Sequence, residues 1–363
     1  MKNTFGNSIA VTIFGESHGQ AIGAVIDGIC PGIEINDEFI SSQLTKRRPS
    51  GPTDTKRREK DEYKILSGVF EGKATGTPIA IIIPNEDTRS GDYKRGIPRP
   101  SHADYTASVK YHGYEDYRGG GHFSGRVTAA LVAVGGILIP ALNKLGIKIG
   151  THILECAGVR DKAFENIEKE IEKINSISFP TISDQAKMLD EIERARLDSD
   201  SVGGILESAI IGMPAGVGEP WFDSVESIIS HALFSIGAVK GVEFGRGFEL
   251  ARMRGSQAND PIAYENGKII TKTNNNGGIN GGITNSMPII VKCAIKPTPS
   301  IALEQESVDL EKMENTKLEI KGRHDPAIVR RACVVVDSVL AICVSDMLAQ
   351  RYGTDVFLKG FDK

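Results

Sequence analysis

Cysteine is scarce and scattered. The chain has five, Cys30, Cys156, Cys293, Cys333 and Cys343, an odd number with no pair at metal-ligand spacing. That pattern excludes a disulfide framework and a zinc knuckle. Most of the five sit in apolar runs, so buried reduced thiols are expected. Aromatic residues are only 6%, with one Trp, and the formal net charge is −4. A nucleic-acid binder should be basic with exposed aromatics among its Lys and Arg, so that class is set aside. The start, Met1 to Gly6, lacks the apolar core of a signal peptide. Val127 to Leu142 is apolar, but it is short, Ala- and Gly-rich and interrupted by Pro140, which reads as a buried core helix rather than a membrane span. A cytoplasmic protein is expected, with neither membrane nor nucleic acid as partner. No Walker loop is present, and no repeat of solenoid or propeller period.

What remains is ordinary globular composition: 363 residues, 40% hydrophobic and 25% charged,. No linker divides the chain, so residues 1–363 are read as a single domain. Short Val- and Ile-rich runs bounded by turn residues predict strands at Ile9–Phe14, Ala21–Ile26, Thr77–Pro84, Ile149–Gly158, Gly204–Met213 and Ile289–Ile295. Helices are predicted at Asp37–Lys46, Ser124–Lys144, Ala163–Ile174, Ile182–Ala195 and Pro326–Tyr352. The last is apolar nearly all round from Ala332 to Leu348 and should be central. Strands and helices do not alternate as βαβ units, which favours α+β layers over a doubly wound sheet.

The chemistry-bearing residues fall in glycine-flanked segments. Phe14-Gly15-Glu16-Ser17-His18-Gly19 puts a Ser and a His on a turn between two predicted strands. Arg99-Pro100-Ser101-His102-Ala103-Asp104-Tyr105 presents a second His beside an Arg. Tyr117-Arg118-Gly119-Gly120-Gly121-His122-Phe123-Ser124-Gly125-Arg126 is a glycine run leading into a helix. Lys321-Gly322-Arg323-His324-Asp325-Pro326 opens the last helix. Basic residues cluster at Lys46-Arg47-Arg48 and at Lys56, Arg57, Arg58 and Lys60. On an acidic chain such a cluster suits a small anionic ligand, and a solvated loop equally well for the run from Lys56 to Lys60. Ser124 before an apolar helix and Asp325 before Pro326 both read as helix N-caps, with Pro326 at the first helical position.

Taken together and in this order, these segments resemble the chorismate synthase family. The resemblance extends through Lys46-Arg47-Arg48-Pro49, Gly237 to Glu243, Gly277-Gly278-Ile279-Asn280-Gly281-Gly282 and Lys296-Pro297-Thr298, from Thr4 to about Tyr352. It implies a β-α-β sandwich, with helices packed between antiparallel sheets, assembled as a homotetramer. It implies a trans-1,4 elimination that turns 5-enolpyruvylshikimate 3-phosphate into chorismate and phosphate and needs reduced FMN without net redox change. By motif match, His18 is the general acid for the leaving phosphate. His102 protonates or stabilises the reduced flavin. Ser124 and Asp325 relay the ring proton at flavin N5. Ser17, Arg47, Arg48, Arg99, Arg126 and Arg323 bind the anionic substrate, a task that suits the bidentate guanidinium fork. His122, Phe123, Ser124, Gly237, Ala238, Gly281, Lys296, Pro297, Thr298, Pro299, Ser300 and Arg323 bind FMN, and no metal is implied.

Some of these positions have a plainer reading. Gly281 is equally a flexible turn. On general grounds each arginine has a surface reading, and Arg99 and Arg126, each flanking a candidate catalytic residue, are the strongest functional candidates. His122 stands where many relatives have Arg, a departure at the flavin site. His112, His152 and His231 match no family role and are read as structural. Arg48 lies beside a position some relatives use for a nicotinamide, which makes NADPH a candidate reductant. A length without large insertions fits the type supplied by an external flavin reductase. The enzymatic rival is a flavin-independent phosphatase or phosphotransferase using the same arginines on a small phosphate ester.

Overall fold

Two apolar helices lie between two antiparallel sheets. The structure is a computed structural model in which residues 2–49, 59–86, 95–320 and 325–361 are described. Among these the α-helices are α1 (Asp37–Arg47), α2 (Asp104–Lys110), α3 (Thr128–Lys144), α4 (Ile167–Ser176), α5 (Ala186–Leu197), α6 (Val225–Ser235), α7 (Gly255–Ala258), α8 (Val329–Tyr352) and α9 (Val356–Lys359). The first sheet has strand order Thr4–Phe5, Ala10–Gly15, Ala21–Asp27, Ile79–Pro84, Lys64–Ile65. The second runs Val239–Phe244, Ile289–Ile295, Gly204–Ile211, Lys148–Cys156, Val159–Arg160. Helix α3 packs on the first sheet, α8 on the second, and the two helices on each other. The α+β sandwich that the resemblance implied is therefore the observed layering. Alternation sets the inward face: Ile289, Val291, Cys293 and Ile295 are buried on one strand,.

Helices α3 and α8 are long and apolar enough to cross a membrane, yet both are largely buried in this core. Pro140 does not end α3, which runs through it to Lys144. Two adjacent glycines permit the close packing. A Cβ on Gly135 would lie 2.4 Å from the Ser338 Cβ of α8, and one on Gly136 would lie 2.9 Å from the Ile40 Cα of α1. The C-terminal end of α1 is closed by α8. Arg331 Nε donates to Arg47 O at 2.7 Å, and Arg330 Nη2 donates to Arg48 O at 3.0 Å. Carbonyls that a helix end leaves without partners are thus met by cations.

Several boundaries differ from the sequence reading by a few residues, two of them for a definite physical reason. Helix α8 begins at Val329, not Pro326, and its N-cap is Ile328 with no side-chain cap. Asp325 is not the cap, because its carboxylate is engaged by the Arg331 guanidinium. Ser124 does cap, accepting from Arg126 N at 3.3 Å, but the segment it opens is a 3₁₀ turn before α3. The pattern also missed α6, where Ser224 accepts from Ser227 N at 3.1 Å as N-cap. All five cysteines are buried and unbridged, as expected. Burial pushes the Cys156 and Cys293 thiols up to about 12. His152 is buried and pairs with Glu207 at 3.0 Å, in keeping with its structural reading.

Two consequences can be measured. Gly135→Ala gains about 1 kcal/mol of helix propensity but forces a Cβ into Ser338. Overpacking costs typically about 1–3 kcal/mol, so net destabilisation in urea unfolding is expected. A more stable variant would refute the close approach. Asp337 of α8 is fully buried, and burial pushes its carboxyl up to about 6 against the Thr151 hydrogen bond and the Lys46 charge. A raised folded pKa contributes stability below the unfolded value near 4 that is lost as pH rises through 6. Asp337→Asn should therefore gain on wild type between pH 4 and 7 by on the order of 1–3 kcal/mol. A difference that does not change with pH would contradict this.

Candidate active site

Gly119, Gly120 and Gly121 take φ of 59°, 85° and 53°. Left-handed backbone at three successive residues is available only to glycine at low cost. The turn they make brings both motif histidines together. A Cβ on Gly119 would sit 2.3 Å from His18 Cε1 and 2.9 Å from Ser17 Oγ. A Cβ on Gly120 would sit 3.0 Å from His102 Cε1 and 3.5 Å from Arg99 Nη2. The Ser17 N–H donates to Gly121 O at 3.0 Å, and His122 Nδ1 donates to Gly15 O at 2.7 Å. The turn carrying Ser17 and His18 is thereby braced by the glycine segment, and both residues are buried.

A second set of contacts leads to the predicted cofactor segment. Arg99 Nη1 donates to Ser300 Oγ at 3.1 Å, and Lys296 Nζ donates to Ser101 O. The Lys296 N–H donates to Ala238 O at 2.9 Å, and Ala238 has a φ of 77°. Pro297, Thr298 and Pro299 follow in the same stretch, where Thr298 O accepts from Ser201 Oγ at 2.7 Å. Phe123 is exposed and stacks edge-on to Tyr111. Gly281 lies in the hairpin Ile279–Thr284, which precedes the strand Ile289–Ile295 that leads into Lys296.

Of the predicted arginines, two are buried in an ion cluster. Arg47 Nη2 lies 3.0 Å from Asp61 Oδ2, and Arg126 Nη1 is bonded to Asp61 Oδ1. Arg126 Nε also donates to Asn85 Oδ1 at 2.9 Å, and its Nη2 to Pro84 O at 3.0 Å. Burial pulls the Arg47 guanidinium down to about 10, against the support of Asp61, so it is still charged at neutral pH. Burial alone would raise the Asp61 carboxyl, but Arg47 and then Arg126 hold it below its ordinary value. Asn85 Nδ2 donates to Glu16 O and Gly19 O, both at 2.9 Å, which ties the cluster to the His18 turn. Arg48 is half-buried and donates to Lys60 O at 2.9 Å. Arg323 and the basic residues Lys56 to Arg58 lie outside the described residues.

Three residues here escaped the sequence reading: Asp61, Asn85 and Asp104. Asp104 Oδ1 is 2.5 Å from His102 Nδ1, and its Oδ2 is 2.7 Å from Arg99 Nε. Arg99 and Asp104 also line a cavity of about 820 Å³. Among the described residues, Glu115, Glu304, Glu311 and Glu319 stand with Arg95 and Lys317 on its other walls, and neither His18 nor His102 is in the lining. The glycine turn gathers two imidazoles against bare backbone, with Arg99, Lys296 and Ser300 joined to the His102 side.

Comparison with known proteins gives a consistent result. The family model described as chorismate synthase matches residues 9–349. Chorismate synthase of Thermococcus kodakarensis is 46% identical over 353 residues, covering 95% of this chain and 97% of that protein. The enzyme of Korarchaeum cryptofilum is 47% identical over 347 residues, covering 94% and 96%. A crystal structure of chorismate synthase superposes with a TM-score of 0.76 at 31% identity, covering 96% of this chain and 94% of that one.

The ion cluster yields a stability test. Asp61→Ala leaves two buried guanidinium groups without their carboxylate and should cost about 3–5 kcal/mol. Glu34→Ala removes an exposed, solvent-screened pair with Lys144 and should cost far less. Equal losses in denaturant unfolding would show that Asp61 is not the keystone of the cluster.

Proposed function

This chain belongs to the chorismate synthase family, and we propose that the Gly119–Gly121 turn, with His18 against one glycine and His102 against the next, is its reaction centre. The activity is that of a carbon–oxygen lyase. 5-Enolpyruvylshikimate 3-phosphate loses phosphate by trans-1,4 elimination to give chorismate, on the route to aromatic amino acids. The phosphatase alternative has no support among the matched relatives, whose common description is the synthase. The family's reaction depends on a reduced flavin, which we take to be FMN. The single observation that supports the site assignment is the packing of His18 against Gly119 and of His102 against Gly120, where a Cβ would lie 2.3 Å and 3.0 Å from the two Cε1 atoms.

The residues present fit a flavin. Left-handed glycines leave bare backbone beside the imidazoles,. Lys296 and Arg99 put cations next to Ser300 and Ser101. His122, Phe123, Ser124, Gly237, Ala238, Gly281 and Lys296 through Ser300 would hold the group. Bound reduced flavin supplies an electron-rich ring that assists loss of phosphate without net redox change.

The chain's own groups supply the proton chemistry. We assign His18 the donation of a proton to the departing phosphate oxygen. His102 turns its Cε1–Nε2 edge to the glycine backbone, and a bound reduced flavin would be its partner. Ser124 Oγ accepts from Arg126 N and still has its own proton to give, so capping and relay are compatible,. Asp325, held by Arg331, is the acceptor proposed for the ring proton. Ser17, Arg48 and Arg99 are the groups we assign to binding the anion. Arg47 and Arg126 reach a ligand only by exchanging Asp61, and until then they fix the frame of the site. The same reading makes residues 1–363 one catalytic domain. It also makes the enzyme a cytoplasmic homotetramer supplied with reduced FMN by a separate reductase, with NADPH as the candidate electron source.

Anaerobic mixing with substrate and reduced FMN should produce chorismate absorbance, and oxidised FMN alone should not. Turnover in flavin-free buffer would overturn the reading. His18→Ala and His102→Ala should each lower kcat by about 10²–10⁴-fold while substrate still binds. Near-normal rates in both would move the reaction centre elsewhere.

A further inference from the structure

Asp104 is absent from the residues that motif or resemblance singled out as functional, yet its carboxylate bonds both members of the Arg99–His102 pair. Its Oδ1 lies 2.5 Å from His102 Nδ1 and accepts from Arg99 Nη2 at 2.8 Å. Its Oδ2 accepts from Arg99 Nε at 2.7 Å and from the Arg99 backbone N–H at 3.0 Å. The three side chains are 10%, 16% and 18% exposed for Arg99, His102 and Asp104, so water does not loosen the cluster.

These distances place a proton. An unprotonated ring nitrogen and a carboxylate oxygen at 2.5 Å would set lone pair against lone pair, so one of the two carries a hydrogen,. Burial acts to raise the Asp104 carboxyl, but the Arg99 and His102 hydrogen bonds overcome it and hold it well below the carboxylate range. The hydrogen is therefore on Nδ1. Arg99 Nη2 is 3.1 Å from that same nitrogen, but two N–H groups do not bond one another, and its hydrogen goes to Asp104 Oδ1. With Nδ1 committed, Nε2 is the ring's remaining chemical atom. The Cε1–Nε2 edge is also the one against the glycine turn: a Cβ on Gly120 would meet them at 3.0 Å and 3.2 Å.

We propose that Asp104 is a positioning residue, which fixes His102 as the Nδ1–H tautomer with Nε2 presented at the glycine turn and, through its second oxygen, holds Arg99 beside the same face. Which ring nitrogen acts is set by the hydrogen bond the other one makes. One carboxylate thus sets the orientation of a proton-bearing ring and of an anion-binding fork together. The proposal deepens the function given above and rests on His102 acting at the reaction centre.

The test reads the ring directly. Full-length protein carrying ¹⁵N-histidine is observed in long-range proton–nitrogen spectra above the ring's titration, with His102 assigned by its loss in His102→Ala. Wild type should show a protonated Nδ1 and a bare Nε2. Asp104→Ala should shift the ring towards Nε2–H and lower kcat by about 10–100-fold. Asp104→Asn keeps an oxygen acceptor for Nδ1–H, so it should retain the tautomer and recover part of that rate. An Nε2–H ring in wild type overturns the proposal without any variant. If His102→Ala is slow while Asp104→Ala keeps the wild-type tautomer and kcat, the proposal alone falls. If His102→Ala turns over normally, the reading beneath it falls as well.

Discussion

Asp61 carries one negative charge into a place where two guanidinium groups are buried with it. Its two oxygens are divided between Arg47, in the last turn of α1, and Arg126, in the turn that precedes α3. Burying any of these charges alone would cost several kcal/mol. Together they lock two helix ends into one relation. Through Asn85 the lock extends to the Glu16–Gly19 turn, and so to His18. Arg330 and Arg331 close the same helix end from α8. The helices between the sheets and the turn with the chemistry are therefore held by one polar assembly rather than by apolar packing alone.

Against that frame the glycine turn has the opposite character. Its conformation is set by the absence of side chains, and the two imidazoles occupy the space so freed. At His102 a carboxylate on Nδ1 and bare backbone along Cε1 and Nε2 give the ring two unlike edges. That division is what acid–base work at a defined atom requires.

The sequence made the frame legible where local rules dominate. The strand Ile289–Ile295 was predicted to the residue, because alternating Ile and Val between turn residues leaves one register with a buried face,. Ser124 was legible as a cap. Asp325 was not what its Asp-Pro pattern suggested, because an arginine two turns on competes for its carboxylate. That competition depends on how α8 folds back on α1, which no local pattern encodes. Asp61 and Asp104 were hidden for the same reason. Asp61 follows the run from Lys56 to Lys60, which reads equally as a solvated loop or an anion-binding face, and only its partners from α1 and the α3 turn make it a buried keystone. Asp104 stood two residues from a motif histidine, and that spacing was the one signal available. Gly135 and Gly136 were visible as small residues in a core helix, but not which helix each would meet.

The buried cysteines bear on the life of a protein that works with reduced flavin. Reduced flavins pass electrons to dioxygen and release hydrogen peroxide, so such an enzyme meets an oxidant of its own making in air. Peroxide attacks the thiolate, not the thiol. Every one of the five cysteines has its thiol pushed up, chiefly by burial. At neutral pH almost none is ionised, and none is open to bulk solvent. The fold thus withholds its sulfur from the first rung of oxidation, and aerobic exposure threatens the electron supply before it threatens the polypeptide.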